Sequence, residues 1–252
     1  MQKHNMSDRQ HSKIIRRRDV LALLRATGTA IFVVGCTSRK STLAQTTNSS
    51  TLPKCIVSPE QTEGPYFVDE KLNRSDIRLD PSDGEVKAGV PLQLTLQVSS
   101  ASNTSCTPIA GAIVDIWHCD ALGVYSDVTD RSFDTVGKKF LRGYQVTDAN
   151  GNVRFTTIYP GWYQGRTPHI HFKVRTNPTS GQSYEFTSQL YFDDAVSDRV
   201  YTQAPYASKG QRTEGNEQDG IFRRGGEQLL LSLTENPQGG YTATFDIGLQ
   251  LV

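Results

Sequence analysis

From Val90 to Val98 the chain reads Val-Pro-Leu-Gln-Leu-Thr-Leu-Gln-Val, alternating apolar and other residues almost without a fault. That is the period of a strand with one buried face. Seven further segments have strand composition: Ile113 to Trp117, Gly143 to Thr147, Val153 to Thr157, His169 to Val174, Thr187 to Phe192, Leu229 to Leu233 and Tyr241 to Ile247. The run Asp148-Ala149-Asn150-Gly151-Asn152 is turn chemistry between two of them and reads as a hairpin loop. From Leu52 to Val252 no long apolar period of 3.6 residues appears, and Asp194 to Tyr201 has room for one short helix or turn. Short strands joined by polar, Gly- and Pro-bearing connections predict an all-β domain, an antiparallel sandwich or barrel with long loops and little helix. No internal repeat breaks the segment, so one domain is expected over residues 52–252.

The first 51 residues have a different character. Arg16, Arg17 and Arg18 precede an apolar run from Val20 to Gly35, the layout of an export signal. Arg17-Arg18-Asp19-Val20-Leu21 resembles the twin-arginine signal, which exports folded proteins. Arg25 interrupts the run, which is too short for a comfortable membrane span. Its end, Val33-Val34-Gly35-Cys36, resembles a lipobox, which would leave Cys36 as a lipid-bearing first residue; an ordinary cut near Ala44 would discard it. Residues 1–36 therefore read as an export signal and residues 37–51, rich in Ser, Thr, Asn and Gln, as a flexible tether. The expected location is the periplasm or cell envelope. With 27 basic and 26 acidic residues the charge nearly balances, leaving no footprint for nucleic acid. Cys55 and Cys106, both in loop-like segments, are candidates for a disulfide in an oxidising compartment, and Cys119 reads as a small core residue, with a reactive thiol as the alternative.

The segment Tyr159 to Val174, YPGWYQGRTPHIHFKV, concentrates the chemistry. His169 and His171 would project from one face of a strand, roughly 6 to 7 Å apart along it, and could converge on one metal ion. A bare pair of this kind is equally consistent with a polar sheet face. The neighbouring blocks decide between these: WHCDALGVYSD at Trp117 to Asp127, FLRGYQ at Phe140 to Gln145, and TEGPYF at Thr62 to Phe67. Together they resemble the intradiol ring-cleavage dioxygenases, the family of protocatechuate 3,4-dioxygenase and catechol 1,2-dioxygenase, from about Thr62 to about Asp219.

The resemblance implies a transthyretin-like sandwich core and a mononuclear Fe(III) site held by Tyr125, Tyr163, His169 and His171. Phenolate is a hard anionic donor suited to a ferric centre. It also implies that Arg166 faces the substrate ring with Gln189 as its polar neighbour, and that Tyr163 leaves the metal and doubles as a base. The implied reaction joins a catechol and O2 into a cis,cis-muconate-type diacid, with both oxygen atoms in the product and no external reductant. Tyr66, Tyr159 and Trp162 read as pocket wall or core. His118 is arithmetically available for a three-His site, but it follows Trp117 on an alternating strand, and the ligand the family takes from this block is the later tyrosine.

Two departures from the best-known members stand out. The signal and tether hold the place of the N-terminal helical segment of catechol 1,2-dioxygenases. The spacer from Tyr163 to His169 is short, which trims a pocket wall and would suit a substituted or polymer-derived catechol. The rival readings are a non-catalytic transthyretin-like binding module at the cell surface, expected to lack one of the four ligands, and a cupin, expected to add a Glu after the HxH. Homo-oligomerisation is left open.

Overall fold

The computed structural model describes residues 56–102, 105–176 and 183–251. The chain divides into units Met1–Asn48 and Ser49–Val252, and all described residues belong to the second. The predicted signal and tether lie outside the described residues. So does Cys55; Cys106 is disulfide-bonded and Cys119 is a buried free thiol. Among the described residues no helix is long and apolar enough to cross a membrane.

Among the described residues nine strands form two sheets. One contains β1 (Pro91–Ala101), β2 (Cys106–Pro108), β5 (Asn152–Ile158), β8 (Leu233–Glu235) and β9 (Tyr241–Leu249); β1 lies between β9 on one side and β5 and β2 on the other. The second sheet runs in the order β4 (Arg142–Val146), β3 (Ile113–Trp117), β6 (His169–Thr176), β7 (Tyr184–Tyr191). The sandwich predicted from alternation is the one formed: Leu92, Leu94, Leu96 and Val98 of β1 and Val114, Ile116, Ile170, Phe172 and Val174 of the second sheet share one core. All described strand pairs are antiparallel except β1–β9, which run parallel through Leu92↔Tyr241 to Ser100↔Leu249.

Two local expectations are corrected. Asp148 to Asn152 is a tight turn, with Gly151 N–H donating to the Asp148 carbonyl at 2.9 Å, but it is not a hairpin. It carries the chain across from β4 in one sheet to β5 in the other, because β5 finds a seven-pair ladder on β1. Leu229 to Leu233 is not a strand. Gly226–Leu229 forms a 3-10 turn, Leu230 makes a single bridge to Tyr191, and pairing with β9 begins only at Leu233. Leu229 and Leu231 are buried while Leu230 is partly open, so the apolar run fills a gap beside β7 without joining a ladder.

The short helix appears as α1 (Asp194–Val200), capped by Asp193, whose carboxylate accepts from the Ala195 and Val196 amides. Tyr159 is core: its ring packs on Phe192 at 4.3 Å and its hydroxyl meets Ser197 Oγ at 2.7 Å.

Candidate metal centre

β6 is buried on both faces. Ile170, Phe172 and Val174 point into the sandwich, so His169, His171 and Lys173 share the opposite face. Register then assembles a row across the sheet: Trp117 of β3 and Gln189 of β7 flank His171, and Tyr191 flanks His169. Trp117 stacks on the His171 ring at 4.9 Å with planes 7° apart.

Two loops cover this face, one with Tyr125 and one with Tyr163. They lie backbone to backbone where Gly161 N–H donates to the Asp120 carbonyl at 3.1 Å, and a Cβ at Gly161 would collide with the Asp120 and Ala121 carbonyls. Tyr163 and Arg166 stand side by side at the ends of the turn Tyr163-Gln164-Gly165-Arg166, which is closed by an Arg166 N–H to Tyr163 carbonyl bond of 3.3 Å. The short spacer noted in the sequence is this turn.

Three of the four predicted ligands converge on the Nε2 atom of the fourth. From His169 Nε2, His171 Nε2 is at 3.1 Å, Tyr163 Oη at 3.2 Å and Tyr125 Oη at 3.5 Å. His169 Nδ1–H donates to the Thr167 carbonyl at 2.7 Å, which leaves its Nε2 lone pair directed at the cluster. Four donors about 2.1 Å from one ion, at angles of roughly 90–110°, would be separated by about 3.0–3.4 Å. The His171 and Tyr163 distances fall in that range and the Tyr125 distance lies just beyond it, a spacing compatible with a metal ion. Among the described residues no group of three or more His, Cys, Asp and Glu is placed to hold one, so a metal here needs the tyrosines.

Burial pushes Tyr125 and Tyr163 well above the ordinary phenol range, with Arg166 partly opposing it at Tyr163, and holds His169 and His171 far below the ordinary imidazole value. Without a cation the cluster is therefore neutral. A metal ion would supply the charge that displaces the phenol protons.

Arg166 Nη1 lies 3.4 Å from His169 Nε2. Its Nε donates to Asp219 Oδ2 at 2.9 Å and its Nη2 to Gln189 Oε1. Gln189 is fixed in turn, donating to the Thr62 carbonyl at 2.9 Å and accepting from Tyr191 Oη at 3.1 Å, so it reaches the site through Arg166. Asp219 is fully buried and also accepts from the Thr167, Ile221 and Phe222 amides. Sequence reading gave Asp219 no role; an Asp-Gly pair in a polar loop resembles any turn. Arg142, in the FLRGYQ block, is the other omission. It donates to the Ser126 and Tyr66 carbonyls and fastens the Tyr125 loop beneath the Tyr66 ring, which stacks on Tyr125 at 4.5 Å.

His118 does not join the cluster. Its ring nitrogens are engaged by the Cys119 carbonyl at 2.8 Å and Thr157 Oγ1 at 2.7 Å, and burial lowers its pKa to about 4. A cleft of about 550 Å3 opens beside the cluster, lined by Tyr66, Phe133, Trp162, Tyr163, Asp130 and Lys209 among others. Of the four converging residues only Tyr163 lines it.

An HxH pair on the outer sheet face with two loop tyrosines brought over it is the arrangement that the sequence resemblance implies, and comparison with known proteins points to the same family. The dioxygenase family model matches residues 62–247. A solved intradiol ring-cleavage dioxygenase from Tetranychus urticae is 33% identical, with 78% of this chain and 95% of that one covered at a TM-score of 0.67. The dioxygenase domain of a dioxygenase carbohydrate-binding protein fusion from Streptomyces sp. SirexAA-E is 28% identical, covering 78% and 100% at a TM-score of 0.55. A chlorocatechol 1,2-dioxygenase of Pseudomonas putida is 33% identical over 104 residues, 34% of this chain and 36% of that protein. Matches to the first curated relatives span between 36% and 49% of their lengths. The chain belongs to the intradiol ring-cleavage dioxygenase family.

Proposed function

We propose that this protein is a non-haem ferric dioxygenase that opens a catechol-type ring between its two hydroxyl-bearing carbons, giving a cis,cis-muconate-type diacid. The observation that supports this best is the convergence of Tyr125, Tyr163 and His171 on His169 Nε2. These four residues would hold one Fe(III). When bound, the ion supplies Lewis-acid activation and a template for the diol and O2.

The protein's own groups have defined tasks. Tyr163 Oη, on the cleft side, is the ligand atom placed to accept a diol proton. Arg166, held by Asp219 and Gln189, offers a preorganised cation where negative charge develops on the ring. Gln189 acts as a positioning residue through Arg166. Tyr66 and Trp162 form walls that orient a flat ring. The breadth of the cleft favours a substituted or polymer-derived catechol. Residues 1–36 would direct export, with Cys36 the site of lipid attachment if the lipobox is used.

The test is the visible spectrum of the purified protein with a metal analysis beside it. One ferric ion per chain and a broad tyrosinate-to-ferric band that shifts on adding catechol is the expected result. A folded, colourless protein that takes up no ferric iron would refute the proposal and favour a binding module.

A further inference from the structure

The cleft beside Tyr163 is larger than one aromatic ring needs; about 550 Å3 falls in the range of sites for drug-sized ligands. Its walls hold two charged groups, and they are not equivalent. Asp130 is already engaged: its oxygens accept from Tyr66 Oη at 2.9 Å, Ser132 N at 3.1 Å and Ser132 Oγ at 2.9 Å. Among the described residues lining the cleft, Lys209 is the one basic side chain. Lys87, Lys138, Lys139 and Lys173 each have a carboxylate within ion-pair distance, whereas Lys209 makes no ion pair among the described residues. One of its three donors goes to the Leu122 carbonyl, which leaves two for the cleft.

This lysine is held in place. It ends the 3-10 turn Tyr206–Lys209, which is anchored to the core by Tyr206 Oη donating to the Tyr159 carbonyl at 2.7 Å. Its ammonium lies 4.8 Å from the centroid of the Trp162 ring, and Trp162 Nε1 donates to the Gly210 carbonyl at 3.2 Å. Gly123 lies beneath it, where a Cβ would collide with both Lys209 Nζ and the Trp162 carbonyl. Burial pulls the ammonium pKa downward, and the nearby Cys119 and Asp120 offset this only in part.

We propose that Lys209 is a specificity residue that recognises an anionic group, a carboxylate on an arm extending from the catechol ring. The diol end of such a ligand lies toward Tyr163 and its carboxylate meets Lys209 over Trp162. This inference rests on the dioxygenase reading for the diol end, while the anion end stands on the lysine alone.

The experiment compares 3-(3,4-dihydroxyphenyl)propanoate with its uncharged amide, using the full-length protein and its Lys209→Met and Lys209→Arg variants. For the unaltered protein kcat/KM should favour the acid about ten-fold, the scale of one hydrogen bond to a charged group. That ratio should collapse toward one in Lys209→Met and survive within about three-fold in Lys209→Arg. Equal loss on acid and amide, or no preference in the unaltered protein, would overturn the role of Lys209. Binding of 3-phenylpropanoate, which has no diol, is followed in parallel by Trp162 fluorescence and should weaken in Lys209→Met. If no diol, catechol included, is cleaved while this binding still depends on Lys209, the dioxygenase reading fails and the anion site stands. If catechol is cleaved and the binding ignores Lys209, the reverse holds.

Discussion

Asp219→Asn removes one charge without changing side-chain volume, so its effect isolates the electrostatics behind the site. Oδ2 of Asp219 accepts from Arg166 Nε at 2.9 Å and Thr167 N at 3.0 Å; Oδ1 accepts from Ile221 N at 2.7 Å and Phe222 N at 3.2 Å. The side chain is fully buried. An asparagine has one carbonyl oxygen, so its NH2 group must face two N–H donors whichever way it turns. Breaking a buried, hydrogen-bonded ion pair on one side costs about 3–5 kcal/mol. For a domain of this size each kcal/mol lowers Tm by about 2–4 °C, which gives a fall of about 6–20 °C. Urea and thermal unfolding would measure the loss, and a double-mutant cycle with Arg166→Met would show whether the two residues act as a unit. A loss below about 1 kcal/mol, or losses from the two variants that simply add, would refute the view that Asp219 holds Arg166 in place.

Three further outcomes follow from the same geometry. His118 is fully buried with a pKa lowered to about 4 from the ordinary 6.5, so the unfolded chain takes up its proton first as pH falls. The stability it contributes is complete above pH 6.5 and declines toward pH 4 by about 3 kcal/mol, and denaturant midpoints of His118→Gln should show a shallower acid dependence across that window. Arg142→Met leaves the Ser126 and Tyr66 carbonyls without their buried donor, which should cost about 2–4 kcal/mol and change the near-ultraviolet dichroism of the stacked Tyr66 and Tyr125 rings; an unchanged spectrum would show that Arg142 does not set that geometry. Gly161→Ala places a methyl group against the Asp120 and Ala121 carbonyls, so the two tyrosine loops must separate; a loss of about 2 kcal/mol or more and weaker ferric uptake are expected, and unaltered uptake would count against the loop contact as the determinant of the site.

The sequence alone was enough to read most strands and the facing of the histidines. Alternation reports which side chains are buried, a local property that survives any choice of strand partner, and so β1, β3, β6 and β9 could be placed from Leu92, Val114, Ile170 and Ala243 and their neighbours. The two-residue step of HIHF put His169 and His171 on one face for the same reason. Residue identity also distinguished Tyr125 and Tyr163 from other tyrosines, but only through the ordered resemblance to a family.

Partner choice was decided by tertiary structure. The turn Asp148 to Asn152 has the chemistry of a hairpin, yet β4 and β5 part because each finds a longer ladder elsewhere, a comparison of distant segments that turn residues cannot encode. The run at Leu229 to Leu233 is apolar because it fills a gap beside β7, and burial without alternating ladder bonds looks the same in sequence as a strand. The candidate site divides along the same line. The four residues could be named from the chain, whereas the approach of Tyr163 and Tyr125 to His169 Nε2, at 3.2 and 3.5 Å, depends on two loops meeting at Gly161. The supports at Asp219 and Arg142 arise from hydrogen bonds across 53 and 76 residues, and no local pattern marks a side chain whose partner is that far away.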